Sequence, residues 1–535
     1  MKKKSCMKTV LCCMLSAAMI SGTLIGCGTG TASSSGTQKS SASPTNGKLS
    51  DQKVTISMLY ADNAAYPYNP DWPTLKKMEE ETNVHLDIQV VPDSDFTTKA
   101  QLMMNSGTMP DIIVKTNTGS GTAQQLALNG KLLAYSDYFD KMPNFQAFMK
   151  QNNIQEELDG NRLSDGKLYE MPQDVNAIKY SSEQWFVRKD VFDSLGLSLP
   201  KTWEELYQDC LKIKQKYPDA YPIQNEFGTG NFYNMVAPSF GTQAGWGAGP
   251  SNFMYDDSSK KWVFAPATNN YKSFVTFLHK LYDEGILDKE FSTMDSSVTE
   301  QNCETNKGFI APAWFGSEST WNAVGKKTDS NMNWVPVAPF AGPDGTAALI
   351  APSQCSSWMV SPASVKDKPY FDVLLKWIDW MYKPEGGGNL FSWGVKGTTY
   401  ETKDGKNQFL KGVYSGDGNE LSKKYGVENN SLSFIYPKDF LEATLSKSAR
   451  SLVDSELKNN NFAKRQPKLS LTTDDKDTES LYSTALSDYV SQMTDEFIMG
   501  KTPLSQWDAF VSQCKTKGAD KLANLYNEVY TREKS

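Results

Sequence analysis

The first part of the chain alternates between short apolar runs and longer amphipathic stretches. Three strands are predicted in apolar or alternating runs: "VTISMLY" (54–60), "VHLDIQVV" (84–91) and "PDIIVK" (110–115). Helices are predicted between them, at 69–83 with Asp71 as the N-cap and Pro73 in the first turn, and at 95–107 with a glycine stop. This order of strands and helices predicts an α/β fold with a mostly parallel, helix-covered sheet.

Later segments carry apolar stripes at helical spacing. Two helices are predicted at 271–287, with Gly285 as the stop, and at 371–382, before Pro384. The segment 478–532 predicts two or three further helices. The aromatic residues of these stripes are expected in the core, as are three tryptophans in helical patterns: Trp203, Trp377 and Trp380.

The N-terminal segment has the pattern of a lipoprotein signal peptide. Four lysines precede an apolar run at 9–25 that is short for a membrane span. The junction at 24–27 resembles a bacterial lipobox, which predicts cleavage after residue 26 and lipidation of Cys27. An ordinary signal peptide with a chance cysteine, or an uncleaved anchor, are the alternatives. The expected organisation is a signal peptide at 1–26, a flexible Ser/Gly/Thr tether at 27–50, and a body at 51–535.

Charge and cysteine usage exclude several classes of protein. Removal of residues 1–26 takes four positive charges from the formal net charge of −7 and leaves −11, so no nucleic-acid partner is expected. No later apolar run approaches the roughly 20 residues that span a bilayer. Outside the N-terminal segment the cysteines are scattered without CxxC spacing and are expected to be buried free thiols: Cys210, Cys303, Cys355 and Cys514.

No catalytic or metal-binding motif is present in the sequence. The chain has two histidines, His85 and His279, and neither has a partner at metal-ligand spacing. The patterns of zinc proteases, of nucleophile-elbow hydrolases and of P-loop proteins do not occur. The expectation is therefore a protein that is not an enzyme and that needs no cofactor or metal. Paired carboxylates on separate elements leave no sequence signature, so a glycosidase stays open as an alternative.

Several segments occur in an order that resembles a known family. They are "EEETNVHLDIQVV", "MMNSGTMPDIIV", "SDGKLYEMPQ", "FVRKDVFDSLGLSLPKTWEELYQ", "LHKLYDEGILDKEF", "VPVAPFAGPDG", "WIDWMYKPEGGGNLFSWGVKGTTYETKDG" and "YVSQMTDEFIMGKTPLSQWDAFVSQC". Together they resemble the extracellular solute-binding lipoproteins of carbohydrate ABC importers, in particular the large members from Gram-positive bacteria. The resemblance covers almost the whole chain after the tether.

The resemblance implies a fold and a function. The fold would be a two-lobed periplasmic-binding-protein-like fold, with discontinuous N- and C-lobes, a hinge and C-terminal helices. The function would be capture of an oligosaccharide in an interlobe cleft and its delivery to ABC permease subunits. The protein would be a monomer held to the outer face of the bacterial cell membrane by its lipid anchor alone. A lipoprotein glycosidase or polysaccharide lyase is the enzyme alternative, and an adhesin is the third.

One segment departs from the family pattern. Larger members often carry an acidic calcium loop after the "TWEEL" helix, but in this chain "KQKYPDAYPIQ" (214–224) has Asp219 as its single carboxylate. Calcium takes six to eight oxygen ligands, usually with several carboxylates. No calcium is therefore predicted at this loop. The acidic "TTDDKDTES" (472–480) lacks the spacing of an EF-hand loop and is expected to be a solvated helix start.

Aromatic residues in loops are the candidate ligand contacts. A tryptophan ring can stack on the C–H face of a sugar, and nearby carboxylates and amides can bind the hydroxyl groups. Four tryptophans lie among Gly, Ser and Pro, and three further residues lie at a hinge strand or at the end of the first strand. The predicted ligand-binding residues are Trp393, Trp358, Trp314, Trp246, Trp185, Tyr60 and Asp62. For each of them, packing or a turn is the alternative.

Overall fold

The computed structural model describes residues 47–116, 118, 121–173, 175–176, 183–225, 228–245, 249–294, 296–349, 356–416, 418–428, 431–467 and 469–534. The signal peptide and nearly all of the tether lie outside these residues. Within these ranges, no helix combines the length and the apolar character needed to cross a bilayer.

Helices and strands alternate along most of the described chain. The α-helices are α1 (Pro73–Thr82), α2 (Asp93–Ser106), α3 (Gly121–Leu128), α4 (Pro143–Asn152), α5 (Gln155–Gly160), α6 (Lys189–Ser194), α7 (Trp203–Lys216), α8 (Gly228–Val236), α9 (Asn269–Asp283), α10 (Ser296–Cys303), α11 (Phe315–Gly325), α12 (Phe371–Met381), α13 (Asn389–Ser392), α14 (Gly418–Tyr425), α15 (Lys438–Thr444), α16 (Lys447–Asn459), α17 (Thr473–Ser480), α18 (Ser483–Ile498), α19 (Trp507–Thr516) and α20 (Ala519–Lys534). The strands are β1 (Val54–Asp62), β2 (Val84–Pro92), β3 (Ile112–Ile113), β4 (Met171–Gln173), β5 (Val175–Asn176), β6 (Glu183–Arg188), β7 (Phe253–Asp256), β8 (Lys261–Phe264), β9 (Ile310–Trp314), β10 (Trp334–Val337), β11 (Ser356–Met359), β12 (Tyr400–Lys403), β13 (Lys406–Phe409) and β14 (Ile435–Tyr436).

The first sheet is parallel, as the sequence predicts. Its strand order is β2-β1-β3, and both pairs run parallel. Gly107 ends α2 with a left-handed backbone, so the predicted glycine stop is confirmed. The predicted cap of α1 is wrong, because the helix starts at Pro73 and Trp72 takes the N-cap position. Asp71 lies one residue too early to cap, and its carboxylate pairs with Lys76 at 2.8 Å.

The first lobe is formed by two distant parts of the chain. Its core joins buried residues of 56–171 to buried residues of 359–391 and 432–435. Helix α12 belongs to the second part, and its apolar stripe is buried there as predicted. Trp377 and Trp380, expected in the core, also lie in this cluster.

The second lobe is built around a mixed set of strands and the C-terminal helices. Strand β6 lies between β10 and β9 and pairs antiparallel with both. The core extends through α7 and α9 to α18, α19 and α20, and it contains Trp203, as expected. Three α-helices, α18, α19 and α20, begin within 478–532, so the prediction of two or three further helices there is confirmed.

The acidic start of α17 is a helix cap. The Thr472 hydroxyl accepts a hydrogen bond from the Asp475 N–H, and the Asp475 carboxylate accepts one from the Thr472 N–H. This reciprocal pair satisfies two backbone donors that the first turn leaves open. The expectation of a helix start at this acidic run is therefore confirmed.

Three segments of chain connect the two lobes. They follow β4, precede β11 and follow β14, and the strands at the crossing pair with one another, β11 with β4 and β14 with β5. A third core cluster lies beside them and packs β6 and β9 residues against residues of 393–453. The two-lobed α/β fold with C-terminal helices is thus the observed architecture.

The thiols behave as expected where the structure describes them. Cys210, Cys303 and Cys514 are buried, and their thiols are not joined in disulfides. Cys355 lies outside the described residues.

Candidate functional site

The first lobe presents the carboxyl ends of its three parallel strands at one edge. Strands β1, β2 and β3 run in the same direction, so residues that follow them collect at this edge. Asp93 follows β2 directly, and Lys115 lies two residues after β3. The Lys115 ammonium and the Asp93 carboxylate form an ion pair at 2.5 Å. The two charged groups at this edge therefore neutralise each other.

The second lobe presents a corresponding edge where β6 begins and β9 ends. Because the two strands are antiparallel, Glu183, the first residue of β6, lies directly opposite Trp314, the last residue of β9. The segment at Ile223 runs parallel to β9, so it leads to the same edge, where α8 begins at Gly228. We call the start of β6, the end of β9 and the first turn of α8 the second-lobe edge.

The crossing segments indicate where the second-lobe edge lies relative to the first lobe. The chain passes from β5, beside the first-lobe core, to β6 within a few residues, so the start of β6 is the part of the second lobe nearest that crossing. Another crossing leads from Ile435 of the first-lobe core into α15 and α16. The Ser446 and Ser448 hydroxyls at the start of α16 donate to the Glu318 carboxylate, at 2.8 and 3.0 Å. The start of β6 and the end of β9 therefore lie near segments that join the lobes.

Trp314 is the predicted aromatic that the structure leaves accessible. Its side chain is 42% exposed, although large apolar side chains of the described core are mostly buried. It ends a strand at the second-lobe edge and is followed immediately by α11. A half-exposed indole at this position presents a flat apolar surface on which a sugar ring can stack.

Two predicted tryptophans are packed in cores. The Trp393 ring is fully buried, with centroids 4.8 Å from Phe409 and 5.5 Å from Phe440. The Trp185 ring is fully buried in the second-lobe core, at 5.1 Å from Trp203. The expectation of a cleft-facing ring is wrong at both positions, because strands and helices distant in sequence cover each ring.

The end of β1 has local structural roles. The Tyr60 side chain is fully buried in the first-lobe core, where its ring lies 5.3 Å from that of Tyr68. The half-buried Asp62 carboxylate accepts a hydrogen bond from the Tyr68 N–H at 2.6 Å. Both residues therefore fit the alternative of a strand end and a turn, and a ligand contact at Asp62 stays a prediction.

Two predicted residues cannot be compared with the structure. Trp246 lies outside the described residues. At Trp358 the backbone is described but the side chain is not. The backbone of Trp358 belongs to β11, the strand that pairs with β4 at the crossing. Their ligand contacts stay predictions.

Glu183 is a candidate that the sequence reasoning missed. The residue is 9% exposed, and among the described residues it has neither a hydrogen-bond nor an ion-pair partner. Burial raises the pKa of this carboxyl group to about 7. The only signal in the sequence is an acidic residue directly before the apolar run "QWFV". Such a residue can end a strand in solvent equally well.

A second buried acid lies on the opposite face of β6. Gln184 donates to the Glu456 carboxylate at 2.9 Å, and the other Glu456 oxygen is buried without a hydrogen bond. Burial raises the pKa of Glu456 to about 8, against a smaller lowering by the Gln184 contact. Because residues alternate between the faces of a strand, this pair lies on the other side of the sheet from Glu183.

Comparison with known proteins identifies the family. The sequence profile of the bacterial extracellular solute-binding proteins matches residues 62–388, which is well over half of the chain. The chain belongs to this family. Family members are binding proteins of transporters that work outside the cell membrane.

Curated relatives of this solute-binding protein align over nearly its whole length. Lipoprotein LipO of Bacillus subtilis is 24% identical over 92% of this chain and 96% of its own. The polygalacturonan/rhamnogalacturonan-binding protein YtcQ of the same organism is 24% identical over 96% and 97%. The fructooligosaccharide ABC transporter substrate-binding protein FusA of Streptococcus pneumoniae is 24% identical over 90% of each chain.

Solved structures of other solute-binding proteins share the fold. The alginate-binding protein AlgQ2 without calcium ion superposes with a TM-score of 0.75 at 21% identity, covering 91% of this chain and 99% of that one. FusA of S. pneumoniae in complex with kestose superposes with a TM-score of 0.70 at 21% identity, covering 90% and 99%. The two-lobed fold expected from the sequence is thereby confirmed.

The loop that follows α7 offers few ligands for a cation in this solute-binding protein. It contains Asp219 as its single carboxylate, and the Lys214 ammonium donates to the Pro218 and Ala220 carbonyls at 3.4 and 3.0 Å. A lysine on these carbonyls occupies oxygens that a calcium ion would need. Within the described part of the chain, no group of three His, Cys, Asp or Glu side chains could hold a metal ion. Calcium independence stays a prediction.

Proposed function

We propose that this solute-binding protein captures an oligosaccharide between its two lobes and delivers it to the permease of an ABC importer. The observation that carries the proposal is the second-lobe edge, where the half-exposed Trp314 indole lies opposite the Glu183 carboxyl across a strand pair. An aromatic face with an adjacent polar group is the combination that binds the apolar and hydroxyl faces of a sugar. Relatives named for binding fructooligosaccharide and pectic polysaccharides support a carbohydrate ligand.

The lobes close on the ligand by a shift of an existing equilibrium. A ligand that contacts both lobes favours the closed arrangement by its extra contacts there. The permease then distinguishes the closed form from the open one. The protein acts as a monomer on the outer face of the cell membrane, and lipid on Cys27 holds it there. The lipobox-like junction at 24–27 and the lipoprotein relative LipO support this anchor.

A thermal-shift screen of the full-length chain tests the proposal. The chain is kept in a detergent without a sugar headgroup and is screened against neutral and acidic oligosaccharides. A sugar present at one hundred times its dissociation constant stabilises the folded protein by about 2.7 kcal/mol, which raises the melting temperature measurably. An absence of any shift across the library at millimolar concentrations would refute carbohydrate capture.

The same samples test the enzyme alternative. We expect each bound oligosaccharide to be recovered intact, since the family members are binding proteins. The comparisons do not favour a glycosidase or lyase. Shortened or unsaturated products that appear in proportion to protein and time would contradict a pure binding role.

A further inference from the structure

Glu183 and Trp314 form a cross-strand pair at the second-lobe edge. They are direct partners in the antiparallel register of β6 and β9. Side chains of directly opposite residues lie on the same face of a sheet, with their Cβ atoms about 4.5–5.5 Å apart. The carboxyl group and the indole therefore lie side by side at the second-lobe edge.

The Glu183 carboxyl group has an environment suited to a ligand. The side chain is nine-tenths buried, yet no described side chain or backbone group donates a hydrogen bond to it, and no described lysine or arginine pairs with it. A carboxyl group with so little exposure and no hydrogen-bond partner in the protein is unusual in a purely structural position. Its oxygens are not among the fully enclosed polar atoms of the described chain, so a small polar group can reach them.

The first turn of α8 holds a buried amide that also lacks a hydrogen-bond partner. Trp185 lies two residues after Glu183 on the same strand face, and Phe232 of α8 packs against its ring at a centroid distance of 6.1 Å. The preceding residue, Asn231, is fully buried, and both its amide oxygen and its amide nitrogen lack a hydrogen-bond partner. The first turn of α8 thus holds an unsatisfied acceptor and an unsatisfied donor, next in sequence to the residue that packs on Trp185.

We propose that Glu183 and Trp314 form a subsite for a neutral, hydroxyl-rich sugar ring and that this subsite rejects uronic acids. The inference rests on the proposed function and adds the charge class of the ligand. Hydroxyl groups of a neutral sugar donate to the Glu183 carboxylate while the ring stacks on Trp314. Above pH 7, where Glu183 is ionised, a uronate brings a second negative charge next to a carboxylate that no described cation neutralises, and like charges in a low-dielectric site repel strongly.

Two relatives differ in the charge of the sugars for which they are named. YtcQ is named for polygalacturonan and rhamnogalacturonan, which are acidic, whereas FusA is named for fructooligosaccharide, which is neutral. Both are 24% identical to this chain, so identity does not decide between them. The Glu183 environment favours the neutral class.

Isothermal titration calorimetry of the full-length chain tests the inference. The probes are neutral trisaccharides (kestose, maltotriose and cellotriose) and the acidic tri-galacturonate. We expect at least one neutral probe to bind and tri-galacturonate to bind at least tenfold more weakly than that probe. The change Glu183→Gln should weaken the neutral probe about ten- to hundredfold, the range for hydrogen bonds to a charged acceptor. The same change should strengthen tri-galacturonate, because it removes the like charge.

Two further variants show whether a change in affinity is specific to the subsite. Trp314→Ala should weaken the neutral probe with little effect on the melting temperature of the free protein, since its ring is half exposed. Glu456→Gln is the matched control, because it makes the same chemical change on the opposite face of the same sheet, and we expect both affinities to stay unchanged. If the Glu183→Gln protein has the circular dichroism spectrum of the parent, its loss of binding does not come from a loss of fold.

Three results would overturn the inference, and they differ from failure of the proposed function. Tighter binding of tri-galacturonate than of every neutral probe would contradict the neutral class while leaving carbohydrate capture standing. An unchanged affinity in Glu183→Gln would remove this residue from the site. Equal losses of sugar affinity in Glu183→Gln and Glu456→Gln would show that both changes act through the structure and not at a ligand contact. Binding of no sugar of either class would refute the proposed function itself.

Discussion

Replacement of Trp393 by alanine should lower the stability of the protein and leave the sugar affinity of the folded form unchanged. The ring is fully buried, and its centroid lies 5.8 Å from Tyr400, 4.8 Å from Phe409 and 5.5 Å from Phe440. Truncation of a buried tryptophan to alanine costs about 3–5 kcal/mol, which combines lost burial with the cavity that remains. The indole N–H has no hydrogen-bond partner among the described residues, so packing supplies the stabilisation.

Urea unfolding followed by circular dichroism measures this effect. With an m value of about 3 kcal/mol/M, the loss lowers the urea midpoint by about 1–1.7 M. Trp393→Phe retains an aromatic ring and should lose much less. Trp314→Ala is the matched control, since it makes the same truncation at a half-exposed ring and should shift the midpoint by a small fraction of that amount. A Trp393→Ala protein within about 1 kcal/mol of the parent, with weakened sugar binding, would refute the core assignment and return this ring to the cleft.

Three other predictions concern titration, metal and anchoring. The pKa of Glu456 is about 8 in the folded protein, above the ordinary 4.5, so its contribution to stability is full below pH 4.5 and is lost as the pH rises to about 8. Each pKa unit is worth about 1.4 kcal/mol. Glu456→Gln should therefore reduce the fall in unfolding free energy between pH 4.5 and about 8, and an equal fall in both proteins would contradict this. Chelator should leave the melting temperature unchanged, and a drop of several degrees would reveal a metal site. Cys27→Ser should move the protein from the membrane fraction to the medium, and unchanged membrane association would disprove lipidation.

The sequence predicts the sheet and the striped helices because their patterns are local. Strand β1 and helix α12 bury the apolar residues that their own patterns select, and β2 keeps its alternation as far as Gln89, after which Val90 is exposed and Val91 is buried. The site depends on contacts between distant segments. Trp393 stands beside Gly394 and Gly397, a setting typical of an open loop, but the hairpin of β12 and β13 covers its ring.

The Glu183 environment also has no local signature. Its position opposite Trp314 follows from a strand pairing across 131 positions of sequence, which no window of residues contains. Its lack of a partner among the described residues depends on which side chains arrive from the rest of the second lobe. The residue types of a site can therefore be anticipated from sequence more readily than the membership of each residue in it.

An ion pair between the lobes should tune how readily they close. Arg465 contacts Glu157 of α5 at 3.4 Å, and α5 belongs to the first lobe through Leu158. The segment that carries Arg465 is held to the second lobe, because Lys464 pairs with Asp257 at 2.7 Å and Phe462 packs against the second-lobe core. The pair therefore joins the lobes through side chains that are 51% and 11% exposed.

Removing this contact should loosen the observed arrangement by a modest amount. Because the Arg465 side chain is half exposed, the pair is worth at most about 1 kcal/mol, so Arg465→Gln should change the open-to-closed ratio by at most about fivefold, with less effect at about 0.5 M salt. The readouts are the interlobe distance, from energy transfer between dyes on the two lobes, and the affinity for a confirmed sugar. Lys464→Gln is the matched control on the adjacent residue, because its ion pair stays within one lobe. If the two variants changed the interlobe distance equally, the effect would belong to the segment's attachment to the second lobe and the interlobe pair would have no separate role.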